Sequence, residues 1–71
     1  MNVTMENVNS TQLKRIGLDK EHGYLYIEFQ SGFTYRYMDV SEEEYEELKN
    51  AESIGRKFNE LIRGKKTYLK L

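Results

Sequence analysis

Cysteine and proline are absent from this chain of 71 residues, and histidine occurs once. Without thiols there is neither a disulfide nor a thiolate metal site, and a lone His22 would have to build any metal centre or nucleophile–base pair from Ser, Asp and Glu alone. No glycine-rich phosphate loop is present. The residues therefore point to no enzyme, no metal and no cofactor. The absence of cysteine fits a reducing, cytoplasmic setting. Met1 to Ser10 has neither a basic n-region nor an apolar h-region, so secretion and membrane insertion are not expected. The sequons at Asn2 and Asn9 then have no consequence, and Met5 is as good a start as Met1.

No repeat, low-complexity run or Pro-rich linker divides the chain. A chain this short hides only about 60% of its unfolded surface, and its single core yields roughly 3–5 kcal/mol. Well-packed aromatics or a partner must supply the rest. The expected organisation is a loose tail over residues 1–7 and one domain over 8–71.

The net charge of −1 conceals a strong segregation. Residues 1–38 balance four acids with four bases, residues 39–53 carry seven acids against Lys49, and residues 54–71 carry six bases against Glu60. Two oppositely charged helices that attract each other explain this most simply. A basic end that meets a polyanion is the sharper reading. The sequence pI of about 5.8 argues against strong long-range capture.

Alternation sets the fold class. From Tyr24, Leu25, Ile27 and Phe29 face one way and Tyr24, Tyr26 and Glu28 the other. After Gln30-Ser31-Gly32 the pattern resumes with Phe33, Tyr35 and Tyr37. A three-residue hairpin loop with Gly32 in its left-handed last position places Phe29 opposite Phe33, Ile27 opposite Tyr35 and Leu25 opposite Tyr37, all on one face. A two-residue loop would strand the two apolar sets on different sides. Of the two nearby glycines, Gly32 alone is required in a left-handed conformation by this assignment, so valine there should do more damage than valine at Gly23. Gln12 to Leu18 reads as a weaker strand.

Ser41 followed by Glu44 is a capping box, with Val40 and Tyr45 as its hydrophobic staple. It opens a helix over 42–50. Ser53 caps a second helix over 54–63, with Ile54, Phe58, Leu61 and Ile62 on one face and Gly64 beyond its end. Gly55 in its first turn implies close packing, with the first helix as the expected neighbour. The class is thus α+β: a three-stranded antiparallel sheet over about 12–18, 24–29 and 33–38, then two helices. Tyr68, Leu69 and Leu71 are too apolar for a free tail. Tyr68 is expected to pack back onto the sheet edge or the helix pair.

The ordered set Val8-Asn9-Ser10, Leu13, Ile16-Gly17, Leu25-x-Ile27-x-Phe29-x-x-Gly32-x-x-Tyr35-x-Tyr37, Val40, Tyr45, Leu48, Ala51, Ser53-x-Gly55, Phe58-Asn59 and Ile62-Arg63 resembles the KTSC domain, over nearly all of residues 8–68. That family takes its name from a C-terminal extension of some lysyl-tRNA synthetases and also occurs as small stand-alone bacterial and phage proteins. Ser41 stands where the family commonly has Pro, which alters only how the helix begins. The resemblance implies no established activity and, by its synthetase context, RNA binding at most.

Binding is therefore the class to examine. On the outer sheet face Tyr24, Tyr26 and Arg36 are neighbours on which single-stranded bases could stack, with Arg63, Lys65 and Lys66 holding phosphates. Tyr35 and Tyr37, the family's YxY, are expected to be structural, and a Tyr–Arg pair that simply covers the sheet is the plainer reading of the outer face. The alternative to nucleic acid is a protein partner: a phage or prophage protein that modulates a host protein, or a self-associating unit.

Overall fold

The computed structural model describes residues 3–71. Five strands and two helices follow one another as β1 (Glu6–Asn7), β2 (Leu13–Asp19), β3 (Tyr24–Phe29), β4 (Thr34–Tyr37), α1 (Glu42–Lys49), α2 (Ile54–Leu61) and β5 (Tyr68–Lys70). The strands form one antiparallel sheet in the order β1-β2-β3-β4-β5. Both helices lie on one of its faces.

The hairpin has the register that alternation requires. Leu25 pairs with Tyr37 and Ile27 with Tyr35, while Phe29 N–H donates to Phe33 O at 2.9 Å. Gly32 has φ 99°, as the bulged turn demands. Gly23 also has a positive φ, 72°, so the expectation that Gly32 alone needs this conformation is corrected. The 19–23 loop closes on itself through Gly23 N–H to Asp19 O at 2.8 Å, and Gly23 O then accepts from Val40 N–H at 2.9 Å. Those two bonds require the left-handed turn.

In β2, Leu13 pairs with Phe29 but Arg15 pairs with Glu28, so the register shifts at Lys14. Leu13 and Ile16 are three residues apart and would point to opposite faces of a regular strand. The bulge sends both into the core, where each is fully buried.

The expected three-stranded sheet has two further strands, both too short to show a period. β5 pairs with β4, with Tyr37 opposite Tyr68 and Tyr35 opposite Lys70. At the other edge Glu6 pairs with Ile16, which corrects the loose tail expected over 1–7. Its first two residues, Met1 and Asn2, lie outside the described residues. Glu6 is held because its carboxylate accepts from the Tyr45 hydroxyl at 3.0 Å and meets Lys49 Nζ at 3.2 Å, both on α1. Together the phenol and the ammonium hold the Glu6 carboxyl below its ordinary value.

The core lies between sheet and helices. Leu13, Ile16, Leu25, Ile27 and Tyr37 of the sheet meet Tyr45, Leu48, Phe58 and Ile62, with Val40 at the entry to α1. The capping box is formed as expected: Glu44 N–H donates to Ser41 Oγ at 3.1 Å and Ser41 N–H to Glu44 Oε1 at 3.0 Å. α2 opens on Ser53, and its Gly55 faces Gln12 and Ser10 rather than α1. A Cβ at Gly55 would lie 3.1 Å from Gln12 Oε1.

Candidate functional site

Six outer-face and basic residues were candidates from sequence, and the fold separates them. Tyr26 is buried, 3% exposed. The chain before β1 crosses the outer face here: Val3 and Met5 lie beside Tyr26, and Gly17 opposite Tyr26 has no room for a Cβ, which would meet Met5 Sδ and Thr4 O at 2.7 Å. Tyr26 is thus no stacking platform. Tyr24 is half-buried and its ring is engaged within the chain, stacked with His22 at 5.4 Å and contacted by the Arg36 guanidinium at 4.6 Å. Among the described residues Arg36 Nε is buried without a hydrogen-bond partner. On the outer face, then, Tyr26 is buried and the Tyr24 ring and the Arg36 guanidinium are in contact with each other.

His22 also faces Asp19, Nδ1 to Oδ2 at 2.9 Å, and this contact first of all holds the Asp19 carboxyl below its ordinary value. Among the described residues no group of three or more His, Cys, Asp or Glu side chains could hold a metal ion, and no helix is long and apolar enough to cross a membrane.

Lys66 is not free either. Its Nζ donates to Asp39 O at 2.7 Å and to Glu44 Oε1 at 3.0 Å, tying the segment before β5 to the start of α1. Arg63 and Lys65 are exposed and have no ion-pair partner among the described residues. Arg63 opens onto a different surface, on the helix side of the sheet.

That surface is a cleft of about 330 Å³ between the hairpin end, the C-terminus of α2 and β5. It exists because α2 stops at Leu61, short of covering the sheet where Phe29, Phe33 and Tyr35 alternate inward. Phe58 and Tyr37 lie deepest, ring centroids 5.5 Å apart and edge to face. Phe29 meets Phe58 at 5.6 Å and Tyr35 at 5.5 Å in the same geometry, favourable for ring quadrupoles. Tyr68 leans on both Tyr35 and Tyr37, at 5.6 Å from each. At the rim Phe33 and Tyr68 are 50% and 59% exposed, and Lys70 Nζ sits 3.9 Å above the Phe33 ring.

Tyr37 has its hydroxyl pKa raised, first by burial, then by the neighbouring Tyr35 and Tyr68, with Arg63 pulling the other way. A larger concavity of about 820 Å³ separates α1 from α2, but it is lined by charged side chains such as Glu47, Lys57 and Glu60 that pair with one another. It is a solvated charged groove, whereas the smaller cleft is walled mainly by aromatic rings, with Gln12, Ser31 and Arg63 as its polar lining.

Sequence reasoning named Arg63 as a candidate but took Tyr35 and Tyr37 as structural, and it placed Tyr68 against the domain. It missed Phe33 and Lys70 as partners in one site. The register already put Phe33 on the inward face, but only β5 brings Lys70 opposite Tyr35.

A small five-stranded sheet with two helices on one face and an aromatic cleft beyond their ends defines a small α+β domain. The chain belongs to the KTSC domain family, whose pattern matches residues 9–68. It is 32% identical to a KTSC domain protein from Yersinia pestis, whose crystal structure superposes with a TM-score of 0.93 and covers 99% of both chains. An uncharacterised protein of Stutzerimonas stutzeri is 39% identical over 56 residues, 79% of each chain. A protein of Tsukamurella paurometabola is 34% identical over 59 residues, 83% of this chain and 88% of that one.

Proposed function

We propose that the protein is a non-catalytic, cytoplasmic binding module that holds single-stranded nucleic acid, RNA in the first instance, in the aromatic cleft. The observation that carries this reading is the meeting of exposed Phe33 and Tyr68 with the uncommitted Arg63 in one cleft. Bases stack on such rings at about 1–3 kcal/mol each, and nearby cations hold the phosphates. With a net charge of −1 the whole molecule contributes little steering, so the attraction is local.

A fluorescence-anisotropy titration with a short unstructured RNA tests it. Binding should weaken as salt rises, and Tyr68→Ala and Arg63→Ala should each weaken it, by about 1–3 kcal/mol for the ring. No binding at low salt up to the order of tens of micromolar would rule the reading out.

A protein partner is the second reading. It is favoured by Leu69 in β5 and Leu71 just after it, 47% and 54% exposed, and by the far side of β5, which pairs with no strand among the described residues. An extended segment could add there as a sixth strand.

A further inference from the structure

Most basic side chains of this protein are engaged by its own residues. Arg15 pairs with Glu28, Lys20 with Glu42, Lys49 with Glu6, Lys57 with Glu47 and Glu60, and Lys66 with Glu44. Arg36 lies on Tyr24 and Lys70 on Phe33. Of the remainder, Arg63 is the one that lines the aromatic cleft. Its guanidinium presents a planar fork of N–H donors, suited to gripping two oxygens of one anion.

Three more donors stand beside it. Tyr35, Tyr37 and Tyr68 form a triangle with ring centroids 5.6 to 6.3 Å apart, all three line the cleft, and none of their hydroxyls has a hydrogen-bond partner among the described residues. Phenols that served packing alone could be phenylalanines. Three of them beside a guanidinium that has no ion-pair partner among the described residues give the cleft a surplus of donors with no carboxylate among its lining residues.

Resting on the nucleic-acid reading, we propose that this cluster is a seat for a phosphate monoester, so that the cleft takes one terminal nucleotide, its base against Phe33 and Tyr68 and its phosphate on Arg63 and the tyrosine hydroxyls. A monoester offers three acceptor oxygens and a charge of about −1.5 to −2 at neutral pH. A phosphodiester within a strand offers two free oxygens and one charge. The donor set matches the first. The cleft volume, near the lower end for ligand sites, suits one nucleotide rather than a run of them.

The test uses the intact protein and RNAs of one sequence carrying a 5′-phosphate, a 3′-phosphate or hydroxyls at both ends, with adenosine monophosphate as a separate arm. One terminal phosphate should tighten binding by about tenfold or more. The gain should vanish in Arg63→Ala and shrink in Arg63→Lys, which keeps the charge but loses the fork. Arg63 is exposed, so both variants should keep their circular dichroism. Equal affinity for all three RNAs overturns the phosphate seat and leaves the single-strand reading intact, and so does a gain that survives in Arg63→Ala. Adenosine monophosphate binding as tightly as the phosphorylated RNA upholds the seat and overturns the single-strand reading. No binding by any RNA or by the mononucleotide overturns both.

Discussion

Gly17 shows how much a single position decides. A Cβ there would meet Met5 Sδ, Thr4 O and Val3 Cγ1 at 2.7 to 2.8 Å, and two of those three contacts are side chains that could shift while the third is backbone. Gly17→Val should lift residues 3–5 from the outer face and destabilise the fold by about 1–3 kcal/mol. An unchanged urea midpoint would contradict this. The glycines of the two turns behave alike, since φ is 72° at Gly23 and 99° at Gly32. A left-handed residue with a side chain costs about 1–2 kcal/mol, so Gly23→Val and Gly32→Val should lower the melting temperature by similar amounts. Gly32 was legible in sequence because a three-residue hairpin loop has one position that needs it. The five-residue loop before Tyr24 has no such unique position, so Gly23 was not.

At the scale of elements, what could be read was what repeats. Strands β3 and β4 alternate over several residues and α1 carries a capping box, so their faces, register and start followed from local chemistry. β1 and β5 span two and three residues, and nothing local distinguishes them from coil. They form because tertiary partners hold them: Tyr45 and Lys49 hold Glu6, and Lys66 is clamped on Asp39 and Glu44 while Met38 N–H donates to Thr67 O at 2.9 Å. Removing residues 65–71 should therefore lower the urea midpoint, although the 59% exposure of Tyr68 limits the share due to its ring. An unchanged midpoint would mean that β5 contributes no stability. The clamp has a pH signature. Glu44 is held below its ordinary value near 4.5, first by the Ser41 backbone N–H and then, against desolvation, by Lys66. Its native value is the lower one, so its contribution is complete above the unfolded value and is lost as pH falls through the native value. Glu44→Gln should flatten the acid limb of stability against pH, and an identical limb in the variant would exclude the clamp from that role.

At the scale of the molecule, the charge segregation seen in sequence is largely consumed by the fold. The acidic residues of α1 pair with Lys20, Lys57 and Lys66, Lys49 of α1 pairs with Glu6, and what stays uncommitted near the C-terminus is Lys65 and, in the aromatic cleft, Arg63. The candidate site was half legible for that reason. Its residue types could be read, but the burial of Tyr26 and the assembly of Phe33, Arg63, Tyr68 and Lys70 depend on short edge segments that only tertiary pairing holds. The most direct test is a map of amide chemical shifts while unlabelled single-stranded RNA is added to the isotope-labelled protein. The account predicts that the largest changes fall on Phe33, Tyr35, Arg63, Tyr68 and Lys70 and that Tyr24, Tyr26 and Arg36 stay near their starting positions. Changes centred on Tyr24, Tyr26 and Arg36, with the cleft unmoved, would contradict it.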